Sequence, residues 1–198
     1  MSRIPIDISK SKKAGKLIIR EWLLEKLFDY LLPLMLVGMF PFITIMKFNS
    51  NLNKNEPIGL SLSLLVFTLV ISGFMIYSIF NMYKLKRING VSRGKNSNLI
   101  KKIAEKNKWN ISVNNQQISI INFSWQDSGT DWGKQLTILY DGKDILVNCI
   151  SFGIYSSPSL FHWFASKRKV NKLKKEFEKG IKNVSQQRTE LKNNSFLN

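Results

Sequence analysis

The chain of 198 residues carries 30 Lys and Arg against 13 Asp and Glu, a net charge of +17, with one histidine and one cysteine. A lone cysteine excludes an intramolecular disulfide, and Cys149 with His162 falls short of the usual structural zinc ligand set. A balance this basic points to nucleic acid, an anionic membrane surface or an acidic partner. The mean hydropathy of −0.10 averages a very apolar third with a very polar remainder.

Residues 1–26 read as a basic leader. Residues 1–16 are polar (Arg3, Lys10, Lys12, Lys13, Lys16) and are expected to be mobile. From Leu17 the apolar groups Leu17–Ile19, Trp22–Leu24 and Leu27–Phe28 alternate with charged pairs at the helical period. That pattern, with Trp22 and the cations, predicts an amphipathic helix lying in the membrane interface. The leader is polar and the apolar run after it is longer than an h-region, so a cleavable signal peptide is not expected.

Leu27–Met46 and Ile58–Tyr83 form residues 27–83, the expected two-helix transmembrane hairpin. The first run spans about 30 Å and the second about 39 Å as helices, each enough for a hydrocarbon core of about 30 Å. Pro33 and Pro41 should kink the first helix. Asp29 lies one turn inside, where its carboxylate still reaches headgroups and water, so a proton or ion role is not favoured over anchoring. Gly59, Ser61, Ser63, Thr68, Ser72, Gly73 and Ser78 suit close helix–helix contact. Seven Lys or Arg precede the hairpin and five follow it, whereas the loop Lys47–Pro57 has two Lys and one Glu. The positive-inside rule then places both termini in the cytoplasm of a multi-pass plasma (inner) membrane protein.

Residues 84–96 read as a basic, flexible juxtamembrane linker near anionic headgroups. Residues 97–183 read as a small α+β cytosolic domain. A helix capped by Ser97 or Asn98 runs to about Asn107, followed by strands Trp109–Val113, Gln117–Trp125, Gln135–Tyr140 and Lys143–Ile150. Asp141-Gly142 is a strong hairpin signal. Val170, Leu173, Phe177 and Ile181 then recur as one helical stripe, with Gly180 as a candidate early stop. The expectation is helix, four-stranded antiparallel sheet, helix, with the helices on one face. Residues 184–198 read as a disordered tail.

Candidate chemistry is sparse. Cys149 falls inside a strand and reads as a buried thiol; a Cys149/His162 nucleophile pair is the rival reading. Asp127, Asp131, Asp141 and Asp144 sit where turns use Asp for local hydrogen bonds more often than for metal or acid–base work. Gly129, Gly133 and Gly142 lack the spacing of a phosphate loop. No catalytic, metal or cofactor residues are assigned, and an enzyme is not expected.

The suggestive cluster is aromatic and basic: Phe161, Trp163, Lys167, Arg168 and Lys169, with Phe164. Such interleaving can sit in lipid headgroups, stack single-stranded bases, or pack in a core. The reading is a membrane anchor for a cytosolic interaction domain in a membrane-associated assembly. Its expected partners are the bilayer, anionic headgroups and an unidentified protein; binding of anionic lipid or nucleic acid as the main task is the alternative.

Overall fold

Strand segments from residue 118 onward carry apolar side chains at successive positions (Ile120-Ile121, Ile138-Leu139-Tyr140, Ile145-Leu146-Val147), and because neighbours point to opposite faces they build a sheet buried on both sides. The computed structural model describes residues 5–20, 23–123, 133–152, 159 and 163–195. Among them are five helices and one five-stranded antiparallel sheet, an α+β architecture. The chain divides into two compact units, 20–82 and the remainder.

The larger unit contains the sheet: β1 (Lys86–Ile88), β2 (Asn110–Asn114), β3 (Ile118–Phe123), β4 (Lys134–Asp141) and β5 (Asp144–Ser151), in the order β1-β5-β4-β3-β2. The expected hairpin closes at Asp141-Gly142, where Gly142 takes φ +59°, a conformation that glycine adopts without a Cβ clash. One face of the sheet presents Ile121, Phe123, Leu136, Ile138, Tyr140, Ile145, Val147 and Cys149. Helix α4 (Arg93–Lys106) adds Ile100, Ile103 and Ala104, and α5 (Trp163–Ser195) adds Val170, Leu173 and Phe177. The thiol of Cys149 is thus a core side chain.

The opposite face carries a second core, and the leader covers it. Ile118, Ile120, Leu139, Leu146 and Ile150 pack with Leu17, Ile19 and Leu85. The leader holds its shape through α1 (Ile8–Ala14), whose N-cap Asp7 accepts from the Lys10 backbone N–H at 3.1 Å. Ser11 Oγ donates to Asp7 O (2.6 Å) and accepts from the Ile18 N–H (2.8 Å). Ile6 bridges Ile19, the Leu17 N–H donates to Tyr83 O, and Lys12 Nζ donates to Tyr140 O.

The fold departs from the sequence pattern at five places. The sheet has five strands, not four: within the expected flexible linker 84–96, Lys86–Ile88 pairs with β5 and buries Ile88. Residues 5–16 are not a mobile segment but α1 and its flanks (residues 1–4 lie outside the described residues), and Leu17 and Ile19 are core residues, not a lipid-facing stripe. The layers are three, because the leader occupies the face opposite α4 and α5. Helix α4 begins at Arg93, before the expected cap, because Asn96 is needed inside. Its buried carboxamide accepts from the Val91 N–H (3.0 Å) and donates to Lys143 O (2.8 Å), tying the β1–α4 loop to the β4–β5 turn. Finally, α5 neither stops at Gly180 nor frays at 184: it runs to Ser195, and at Gly180 the Leu99 side chain of α4 occupies the space a Cβ would need.

The smaller unit is a helical pair, α2 (Leu23–Asn53) and α3 (Gly59–Asn81). Ser61, Ser72, Met75 and Ser78 are its buried α3 positions. Thr44 Oγ1 and Thr68 Oγ1 hydrogen-bond across the pair at 3.0 Å, and Ser72 Oγ donates to Val37 O at 3.1 Å. Hydroxyls thus link the helices while large side chains point away. Among the described residues one helix, α3, is long and apolar enough to cross a membrane.

Candidate functional site

Helix α5 is amphipathic with an unusually complete division. Val170, Leu173 and Phe177 go to the core, and Ile181 packs at its margin. Arg168, Lys172, Lys175, Lys179 and Lys182, spaced by 4, 3, 4 and 3 residues, are all exposed. At 100° per residue that stripe lies opposite the buried one, and it runs for about 21 Å along the axis. The acids of this stretch sit off the stripe and are engaged: Glu176 accepts from Asn107 Nδ2 at 2.8 Å, and Glu178 lies 3.5 Å from Lys174 Nζ.

The candidate residues named from sequence separate in the fold. Arg168 belongs to the stripe, and Lys167 is exposed beside it. Lys169 instead turns to the sheet, its Nζ 4.4 Å from the Phe123 ring centroid and 5.9 Å from that of Trp109. Lys172 Nζ is 5.4 Å from the same indole, and Trp109 meets Phe123 edge-on at 5.4 Å. The basic and aromatic groups do interleave, but the aromatics come from β3 and the residue before β2. This is a cation–π clamp holding α5 on the sheet, worth about 0.5–1 kcal/mol per exposed contact. Trp163 opens α5, while Phe161 and His162 lie outside the described residues, as do Asp127 and Asp131. The stripe beyond Lys169 could have been found by sorting the cations of 167–182 by helical angle from Leu173.

Asp141 and Asp144 act as turn residues. Arg87 Nη2 donates to Asp141 Oδ2 (2.7 Å) and Nη1 to Asp144 Oδ2 (3.0 Å), clamping edge strand β1 to the β4–β5 turn. The Arg87 hydrogen bond, helped by the Gly90 N–H against some desolvation, holds the Asp144 carboxyl below its ordinary value. A depressed carboxylate contributes stability above its unfolded pKa of about 4 and loses it as pH falls through the folded value. The variant Asp144→Asn should therefore be less stable than the parent chain at pH 7. That difference should shrink on acidification below about pH 4. Denaturant unfolding at a series of pH values reads this, and a pH-independent difference would rule the clamp out as its cause.

Among the described residues no group of three or more His, Cys, Asp and Glu could hold a metal ion. Comparison with protein-family models, curated proteins and solved structures finds no match to this chain.

Proposed function

We infer that this is a two-span integral membrane protein, α2 and α3 crossing the bilayer as a hairpin with both termini in the cytoplasm. In this reading the hairpin anchors the α+β unit as a non-enzymatic interaction domain of a membrane-associated assembly. The observation that carries it is the outward apolar surface of the helical pair. Met35, Met39, Phe40, Phe42 and Ile43 on α2, and Leu60, Phe67, Leu69 and Val70 on α3, are all exposed. An apolar surface of that extent is at home in lipid and a liability in water. Helices joined by threonine and serine hydroxyls are what association in lipid favours, because lipid supplies no hydrophobic drive between helices.

The partner chemistry follows from the other unit. In the α+β unit Val91 is the single exposed large apolar residue among the side chains the structure describes, which exclude those of Trp163, Phe164, Val184 and Leu191. The α5 stripe is the recognition feature that remains, and it suits an anionic surface, with lipid headgroups first and nucleic acid second. Each Lys near an anionic membrane contributes about 1 kcal/mol. Full-length protein in phosphatidylcholine nanodiscs should co-float with phosphatidylglycerol vesicles and not with phosphatidylcholine vesicles. Removing Lys175, Lys179 and Lys182 should weaken this roughly hundredfold. Flotation that ignores both lipid charge and these substitutions would sink the lipid reading, and retention of an oligonucleotide in its place would transfer the stripe to nucleic acid.

A further inference from the structure

A cleft of about 530 Å³ opens between one face of α4 and the turn joining β2 to β3, away from the α5 stripe. Its α4 wall carries Arg93 and Lys101, and none of its lining residues is acidic. Neither cation has an ion-pair partner among the described residues. The opposite wall carries Asn114 and Asn115, and their carbonyl oxygens are already used inside the fold. Asn114 Oδ1 accepts from Ser119 Oγ (2.7 Å) and from Ser97 Oγ (3.3 Å). Asn115 Oδ1 accepts the backbone N–H groups of Gln117 (2.8 Å) and Ile118 (2.9 Å). Ser119 Oγ is also 2.7 Å from the buried Tyr140 hydroxyl, which fixes the floor. The side-chain N–H groups of both asparagines have no partner among the described residues.

The Asn114 and Asn115 oxygens are spent internally, while their amide donors and the positive charge of Arg93 and Lys101 are left over. Asn98 and Gln116 add neutral amides and no negative charge to the lining. Arg93 and Lys101 are eight residues apart, about 12 Å along the helix axis, a separation their long side chains can close upon one ligand. At Gly94, on the α4 wall, no atom outside the helix's own backbone lies within 4 Å of where a Cβ would stand, so the wall is open there. A volume of this order holds a small molecule.

We propose that the cleft between α4 and the β2–β3 turn binds a small phosphorylated ligand, a phosphate ester or diphosphate. Arg93 and Lys101 neutralise it, and the Asn114 and Asn115 amides donate to its oxygens. Charge-assisted hydrogen bonds to such oxygens are the strong kind, and their geometry gives selectivity that a diffuse basic surface lacks. The ester can come from a lipid headgroup or from a soluble metabolite. The site is independent of the α5 stripe and of the membrane reading.

The test is calorimetric titration of inorganic pyrophosphate into the full-length protein in phosphatidylcholine nanodiscs. Saturable, one-site binding is expected. Arg93→Ala and Lys101→Ala should each weaken it about tenfold, the loss of one charge-assisted contact. Gly94→Glu, which fills open space with a negative charge and needs no atom to move, should abolish it. Lys102→Ala and Lys106→Ala, exposed cations of the same helix outside the cleft, should leave it unchanged. Absence of saturation, or equal weakening by these controls, overturns the proposal. Competition then identifies the source. Displacement by phosphatidylglycerol vesicles but not phosphatidylcholine vesicles supports a headgroup. Displacement only by sn-glycerol 3-phosphate supports a soluble ester, and displacement by neither overturns the ester assignment.

Discussion

Phe177→Ala should lower the unfolding free energy of the α+β unit by about 3–5 kcal/mol, the range for truncating a fully buried phenylalanine. Phe177 is 0 % exposed and lies in the core that α4, α5 and the sheet share. The loss has two parts: the transfer energy of the ring, and the cavity left among side chains such as Ile100, Leu136 and Leu173 that are themselves fully buried. Since α5 also displays the cationic stripe, the same substitution should degrade the stripe through lost helix docking. Denaturant titration of full-length protein in detergent measures the first effect. A change below about 1 kcal/mol would mean that α5 is not packed on the sheet as described.

The second large effect is expected at Leu17→Ala, with a loss of about 2–5 kcal/mol. Leu17 is 4 % exposed, in the second core with Ile19, Leu85 and Ile118. Its backbone N–H also donates to Tyr83 O at 2.7 Å, a bond that alanine retains, so the substitution isolates the side chain. The measurement separates two accounts of the leader. If Leu17 were part of a helix lying in the membrane interface, its truncation would leave unfolding of the α+β unit unaltered. If it closes the second face of the sheet, the denaturation midpoint falls. Lys13→Ala, an exposed position in α1, provides the control and should stay within about 0.5 kcal/mol.

Leu17 also shows what was legible and what was hidden. Local signals could be read: the two-residue spacing within 118–123, the Asp-Gly turn, and the Val170, Leu173, Phe177 series all occupy the expected elements. Contacts between distant segments could not. Leu17 and Ile19 look like the start of an amphipathic helix because helical spacing carries no record of what covers the apolar face. In the fold that face meets Ile118 and Ile120, a hundred residues away in the chain. Lys86–Ile88 failed as a strand prediction for a related reason. Three residues, two of them basic, hold no measurable alternation, and the segment becomes a strand only because β5 offers an unpaired edge. Gly180 misled because glycine can end a helix or admit a neighbour, and Leu99 decides for the second.

The candidate surface was legible by composition and not by direction. A run of seven cations between Lys167 and Lys179 is plain in the chain. Only the packing of Val170, Leu173 and Phe177 determines that Arg168, Lys172, Lys175, Lys179 and Lys182 share the outward face and that Lys169 turns to Phe123. The cleft beside α4 carried no sequence signal. It depends on Asn114 and Asn115 committing their carbonyl oxygens inward, which spacing does not reveal.

Side-specific thiol labelling of the loop between α2 and α3 decides whether the helical pair crosses the bilayer. Cys149 is buried, so an added cysteine is the reactive one. In intact cells producing the full-length protein, a membrane-impermeant maleimide should label Lys54→Cys promptly. Lys102→Cys, exposed on α4, should react only after the membrane is opened. Labelling of both positions in intact cells, or of neither until the membrane is opened, would contradict a hairpin that crosses the bilayer twice with its α+β unit inside.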